Sequence, residues 1–218
     1  ESFCAYVLNQ PRELWRYQAV LFSYEGEILQ GMALNLNART TPVLARVEAE
    51  ETWKRPLSGL SPEEKDEAFL HLIREVFANR PISAVYLVGD GFEEKWYSES
   101  LKILCNGRRV FAGNNLYAKG ACYRAARAVK QDETAAYVFL GADKISYNVG
   151  LRMPGVGKNS IYTLLNAGES WYDAKAECEA LLYEDAVVDF ILQPMQGEET
   201  LKERLLLDGL PERPPRAT

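Results

Sequence analysis

The sequence predicts an α/β lobe followed by an all-β sandwich domain, α+β overall. Three observations lead there. Residues 82–128 run as apolar strand, glycine turn, helix, strand and small-residue helix, the grammar of an α/β unit. A hairpin and a third strand precede that unit. Beyond residue 134 the helical periodicity gives way to short apolar runs separated by turns, which is the pattern of a β-sandwich.

Residues 1–17 read as a lead-in segment, broken at Pro11. Residues 18–36 read as a hairpin: AVLFSY, a tight turn at Glu25-Gly26, and the returning ILQGMALNL. A third strand covers residues 42–47, and residues 53–60 read as loop. Ser61-Pro62-Glu63-Glu64 is a helix start in which Ser61 caps, Pro62 takes the first helical position and Glu64 completes a capping box. Phe69, Ile73, Val76 and Phe77 then recur at helical spacing, and Asn79-Arg80-Pro81 ends the helix.

Val85-Tyr86-Leu87-Val88 is the next strand, and it meets Gly89-Asp90-Gly91. A helix-like segment stops near Asn106-Gly107, a strand follows at Val110-Phe111, and Asn114-Asn115 leads to a helix opening with Gly120-Ala121. Residues 129–134 form a polar linker. Strand-like runs follow at residues 137–140, 144–153, 160–165, 171–183, 187–193 and 201–207. The fourth of these is rich in helix formers. Its apolar and charged residues nevertheless alternate from Tyr172 to Leu182, which favours a half-buried strand.

The chain has 218 residues, enough for one or two domains with real cores. With 47% hydrophobic and 26% charged residues it falls among ordinary globular proteins. A net charge of −6 argues against wholesale nucleic-acid binding, and no apolar run reaches the length of a membrane span. Cys4, Cys105, Cys122 and Cys178 form no C-x-x-C pair. Cys105, Cys122 and Cys178 lie in apolar patterns, which predicts free buried thiols in a reducing compartment and hence a cytoplasmic location. His71 is the single histidine, so a zinc site or a histidine-based triad has little to work with. No signal peptide is visible. The chain begins at Glu1 and ends abruptly at Arg216-Ala217-Thr218, so it reads as a piece of a longer protein.

The chemistry-bearing stretch is the glycine turn. A turn leaving a buried strand needs backbone angles that side chains penalise, and glycines also let a ligand approach the backbone. Gly89, Asp90, Gly91 and Phe92 are therefore the candidate ligand-binding residues, although a GDG turn alone is a weak signal. At the hairpin tip, Glu25 or Glu27 would meet a metal only through water, and Tyr24 with a single glycine makes a poor phosphate cradle. Residues 154–160 imitate a phosphate-binding loop, but Arg152 and Asn159 stand where the motif needs Gly and Ser or Thr. Arg108-Arg109 is a possible phosphate grip, weighed against a solvated strand start. Phe92, Trp96 and Trp171 read as core. No residue is assigned a catalytic or metal-binding role.

LVGDGF followed by helix, strand and NNLYAKGACYRAA resembles the adenosine-side half of the actin/Hsp70/sugar-kinase ATPase fold. The resemblance covers roughly residues 18–128. It implies that the two glycines face an adenosine, and that Gly120, Ala121, Ala125 and Ala126 pack close at a lobe interface. The wording around Trp96 and residues 114–117 also resembles an uncharacterised bacterial family of Hsp70-like proteins. SIYTLLNAGESWYDAK, VVDFILQPMQGEET and RLLLDGLPERPP are similar to the β-sandwich substrate-binding domain of Hsp70 proteins. These resemblances imply a second nucleotide-binding lobe over residues 18–133 and a truncated substrate-domain-like sandwich over 134–218. They imply ATP or ADP with Mg as cofactor, a peptide or protein client at the sandwich, and an absent N-terminal lobe of the same protein as partner. ATPase chemistry would need that other lobe. The function so implied is chaperone-like nucleotide binding coupled to protein binding. Residues 48–81, mostly one helix, stand where relatives carry an adenine clamp. The alternative is therefore a degenerate actin-like pseudo-ATPase acting as a protein-interaction scaffold. A sugar or acid kinase fits least.

Overall fold

Strand β1 (Gln18–Glu25) lies inside a mixed sheet with β2 (Ile28–Asn37), β3 (Val43–Glu48), β4 (Lys54–Pro56), β5 (Ile82–Val88), β6 (Arg109–Ala112) and β7 (Tyr137–Phe139). In this computed structural model the described residues are 1–37, 39, 42–78, 80–129, 137–152, 160–179, 187–194 and 199–208. The chain divides into two compact units, Glu1–Phe139 and Leu140–Thr218.

In the first unit the strand order is β6-β5-β1-β2-β3-β7, with β4 added to β2. β1, β2 and β3 form an antiparallel meander, while β5 is parallel to β1 and β6 parallel to β5. Four helices belong to this unit: α1 (Ser2–Leu8), α2 (Pro62–Phe77), α3 (Ser98–Leu104) and α4 (Leu116–Val129). The two-residue period of a strand sends alternate side chains to opposite faces. Val20, Phe22 and Tyr24 of β1 join Val85 and Leu87 of β5 in one core with Phe69, Leu72, Ile73 and Val76 of α2. Ala19, Leu21, Ala84, Tyr86 and Val88 pack on the other face with Phe3, Cys4 and Val7 of α1 and Leu116 of α4.

Several expectations change in this unit. Residues 137–140, expected to open the sandwich, instead place Tyr137, Val138 and Phe139 parallel to β3. The expected loop at 53–60 contains β4, paired with Ile28, Leu29 and Gln30. The last helix opens at Leu116, and Gly120 sits one turn inside it. A Cβ at Gly120 would overlap the Ser2 carbonyl, so α1 and α4 cross at closest approach there. The thiols are redistributed too. Cys4 is buried, whereas Cys105, Cys122 and Cys178 are exposed. Cys105 caps the end of α3, and α4 buries only Leu116 and Gly120, which turns Cys122 outward.

Polar side chains fix the helices to one another. The capping box forms as the sequence predicts, with Glu64 N–H donating to Ser61 Oγ at 3.3 Å and Ser61 N–H to Glu64 Oε2 at 2.8 Å. Asp66, one turn into α2, reaches across to the start of α3. Its carboxylate accepts the N–H groups of Glu99 and Ser100, each at 2.9 Å, and the Ser100 hydroxyl. At the other edge Arg80 grips Glu48 through two hydrogen bonds of 2.8 and 3.2 Å. Burial works to raise the Glu48 carboxyl, but bonds from Arg80 and Asn35 hold it below the usual range.

The second unit is a four-stranded antiparallel sheet ordered β11-β10-β8-β9. Its strands are β8 (Tyr147–Arg152), β9 (Ile161–Leu165), β10 (Val187–Pro194) and β11 (Leu201–Leu206). Among its described residues, Leu140, Ile145, Leu151 and Ile191 are the buried side chains. Among the described residues it is a single sheet, not the two layers expected of a sandwich. Of residues 171–183, expected as strand, 171–179 are turn and irregular chain that pairs with no strand among the described residues, and 180–183 lie outside them. The imitation phosphate loop at 154–159, most of the linker at 129–134 and the proline-rich end lie outside the described residues. No helix among them is long and apolar enough to cross a membrane.

Asp66→Ala leaves the buried Ser100 N–H, and with it the more exposed Glu99 N–H, without a partner, which costs about 1–3 kcal/mol. Urea unfolding followed by tryptophan fluorescence should show that loss, and an unchanged midpoint would mean the cap does not hold α3. Burial pushes the Cys4 thiol from about 9 up to about 12. The unfolded chain then ionises Cys4 first as pH rises, so stability is whole below about pH 9 and falls as pH rises toward 12. Urea midpoints at pH 8 and pH 10.5 should show the decline, and Cys4→Ala should make it shallower.

Candidate functional site

Strands β1, β5 and β6 run in parallel, so their carboxyl ends meet at one edge of the sheet, where open α/β folds bind ligands. Ser23 and Glu25 end β1, Gly89 to Phe92 follow β5, and Asn114 follows β6. Gly89 has φ +104, a left-handed value that side chains resist. A Cβ there would also overlap the Tyr24 carbonyl. At Gly91 a Cβ would overlap the Tyr24 ring itself. The close approach that these glycines permit is thus made by the chain's own hairpin.

Tyr24 belongs to an aromatic cluster. Its ring meets Phe92 edge-on at 5.9 Å and Trp96 at 5.7 Å, and Phe92 stacks on Trp96 with planes 14° apart. The Trp96 indole N–H donates to the Gly91 carbonyl at 2.7 Å, and the Tyr97 hydroxyl to the Phe92 carbonyl at 3.2 Å. Phe92 and Trp96 are core, as the sequence predicts, whereas Trp171 is 61% exposed.

The solvent side of the turn is polar. Asn114 Oδ1 accepts the Gly89 N–H at 2.9 Å, and its Nδ2 lies 3.4 Å from carboxylate oxygens of both Asp90 and Glu93. Beside it, buried Ser23 lies 3.4 Å from a Glu25 oxygen, and Tyr117 is close enough to feel both. Burial raises the Tyr117 phenol above its usual range, Ser23 opposes that, and Glu25 adds to it. Tyr117 therefore stays protonated at neutral pH.

Of the sequence-predicted residues, Gly89, Asp90, Gly91 and Phe92 stand together, but Phe92 and Gly91 face the aromatic cluster and Gly89 the Tyr24 backbone. Asp90 turns its side chain to solvent. Glu25 and Glu27 are exposed at the hairpin tip. No trio of His, Cys, Asp or Glu among the described residues converges on a metal position. Sequence reasoning did not find Asn114, Ser23 and Tyr117 as a group. The Asn-Asn pair after β6 was its only visible signal.

Glu25, Asp90 and Glu93 place carboxylates at this edge, a charge that works against a bare phosphate, whereas the amino end of α4 works in its favour. Carboxylates and amide groups of this kind hold hydroxyls and amines.

Residues 1–142 match the family model described as a family of unknown function, DUF5716, C-terminal. Residues 144–218 match that of a domain of unknown function, DUF8552. Among curated proteins there is no match.

If Tyr24 is what the glycines accommodate, Gly91→Ala costs about 2 kcal/mol by overpacking. The same change costs at least about 1 kcal/mol less in a Tyr24→Ala background. A double-mutant cycle by urea unfolding reads this coupling, and additive losses would show that Gly91 serves something other than Tyr24.

Proposed function

We propose that this chain, which belongs to the DUF5716 C-terminal family, is an actin-like lobe that has closed its adenosine side on itself and works as a protein-interaction scaffold. One observation carries the reading: the Tyr24 ring lies against Gly91 where, in the superfamily it resembles, a nucleoside would approach the backbone. The order of elements supports the actin-like part, since hairpin, third strand, helix, strand, glycine turn, helix, strand and helix follow one another as in that lobe. The carboxylates at the edge work against a bare phosphate. In the second unit Trp171, Tyr172, Leu201, Leu205 and Leu206 stand in solvent. A protein partner of the kind implied by the substrate-domain resemblance would cover such side chains.

A second reading keeps nucleotide binding coupled to a peptide or protein client. It is favoured by the position of Gly89-Asp90-Gly91 at the carboxyl end of a parallel strand, where the exposed Asp90 carboxylate beside Asn114 would accept ribose hydroxyls. ATP or ADP with Mg would then be the cofactor, completed by another lobe.

Thermal unfolding of the intact protein with and without millimolar Mg–ATP separates the two. A ligand that binds only the native state raises the midpoint by mass action. The scaffold reading expects no rise. A rise that disappears when Gly91 is made bulky would overturn it in favour of the nucleotide reading.

A further inference from the structure

The opposite edge of the same sheet carries a different chemistry. At the amino ends of β5 and β6 lies an open cavity of about 420 Å³, a size that suits a small ligand. Arg108 and Arg109 form one wall, Tyr17 and Ser83 another, and Cys105 and Gly107 border it.

Its polar groups are mostly donors. Arg108 is held in place, with its guanidinium 4.6 Å from the Phe77 ring centroid and one N–H donating to the Ile103 carbonyl at 3.0 Å. Arg109, next along, has no ion-pair or side-chain hydrogen-bond partner among the described residues. The Ser83 oxygen accepts the Tyr17 N–H at 2.9 Å, which leaves its own O–H to donate. Arg16, outside the lining, lies 5.8 Å from the Tyr17 ring centroid. Glu13 is the single carboxylate in the lining. In a chain of net charge −6, this is a local excess of positive charge around a hollow with hydroxyl donors.

We propose that this cavity binds a small phosphate-bearing anion, with Arg109 as its principal charge partner, Arg108 as a fixed second guanidinium and Ser83 as hydroxyl donor. Guanidinium forks match the spacing of phosphate oxygens. The site is separate from the glycine turn, and it does not depend on whether that turn binds anything.

Cys105 provides a local reporter, because its thiol borders the cavity while the exposed Cys122 and Cys178 lie elsewhere. The folded chain is alkylated with iodoacetamide, with and without inorganic pyrophosphate at constant ionic strength, and each cysteine is followed by peptide mass spectrometry. With pyrophosphate at roughly ten times its half-saturating concentration, reaction at Cys105 slows roughly tenfold. Reaction at Cys122 and Cys178 stays unchanged. Arg109→Gln removes most of the protection, and Lys175→Gln, an equal charge change in the second unit, keeps it. No slowing at Cys105, equal slowing at all three cysteines, or full protection in Arg109→Gln overturns the assignment.

Discussion

β1 is paired on both edges and buried on both faces, and the first unit is arranged around that constraint. Its antiparallel bond to β2 and its parallel bond to β5 leave it no solvent side, so AVLFSY has to be apolar almost throughout. Each face then needs its own cover: α2 and α3 on one, α1 and α4 on the other. The parallel register with β5 sets Ser23 beside Val88. That brings the next residue, Tyr24, against the turn that follows β5. The character of the candidate site is in this sense a consequence of sheet register.

What could be read from the residues was what depends on near neighbours. The hairpin at Gly26, the capping box at Ser61 and the strand running into Gly89 are written within a few positions each, and all are present. Pairings between distant segments were not readable. Nothing local in Tyr137-Val138-Phe139 says that it completes the sheet beside β3. Nothing in Ser2–Leu8 announces that it will press on Gly120. The stretch after Trp171 alternates as a strand should, but alternation specifies a strand only when another strand borders it. The cysteines were misplaced because an apolar neighbourhood in sequence does not reveal which side of α4 meets the sheet. At the site, the glycines were legible as a close approach, but the sequence could not say that Tyr24 makes it.

The two ends of the first sheet differ in sign. Carboxylates from Glu25, Asp90 and Glu93 border the carboxyl end, and arginines gather at the amino end. Arg108-Arg109 read from the sequence as a solvated strand start. The contribution of Tyr17 and Ser83, brought in from other elements, turns that start into the wall of a hollow.

The contact between Tyr24 and Gly91 also constrains how this protein can change over time. A side chain added at Gly91 is blocked while the tyrosine is present, and trimming the tyrosine first leaves a hole in the aromatic cluster. Either single step lowers stability, so a lineage moving toward an open turn must cross a disfavoured intermediate or acquire both changes together. The two positions are therefore locked in an epistatic pair, and substitutions at one should be tolerated only on a background altered at the other.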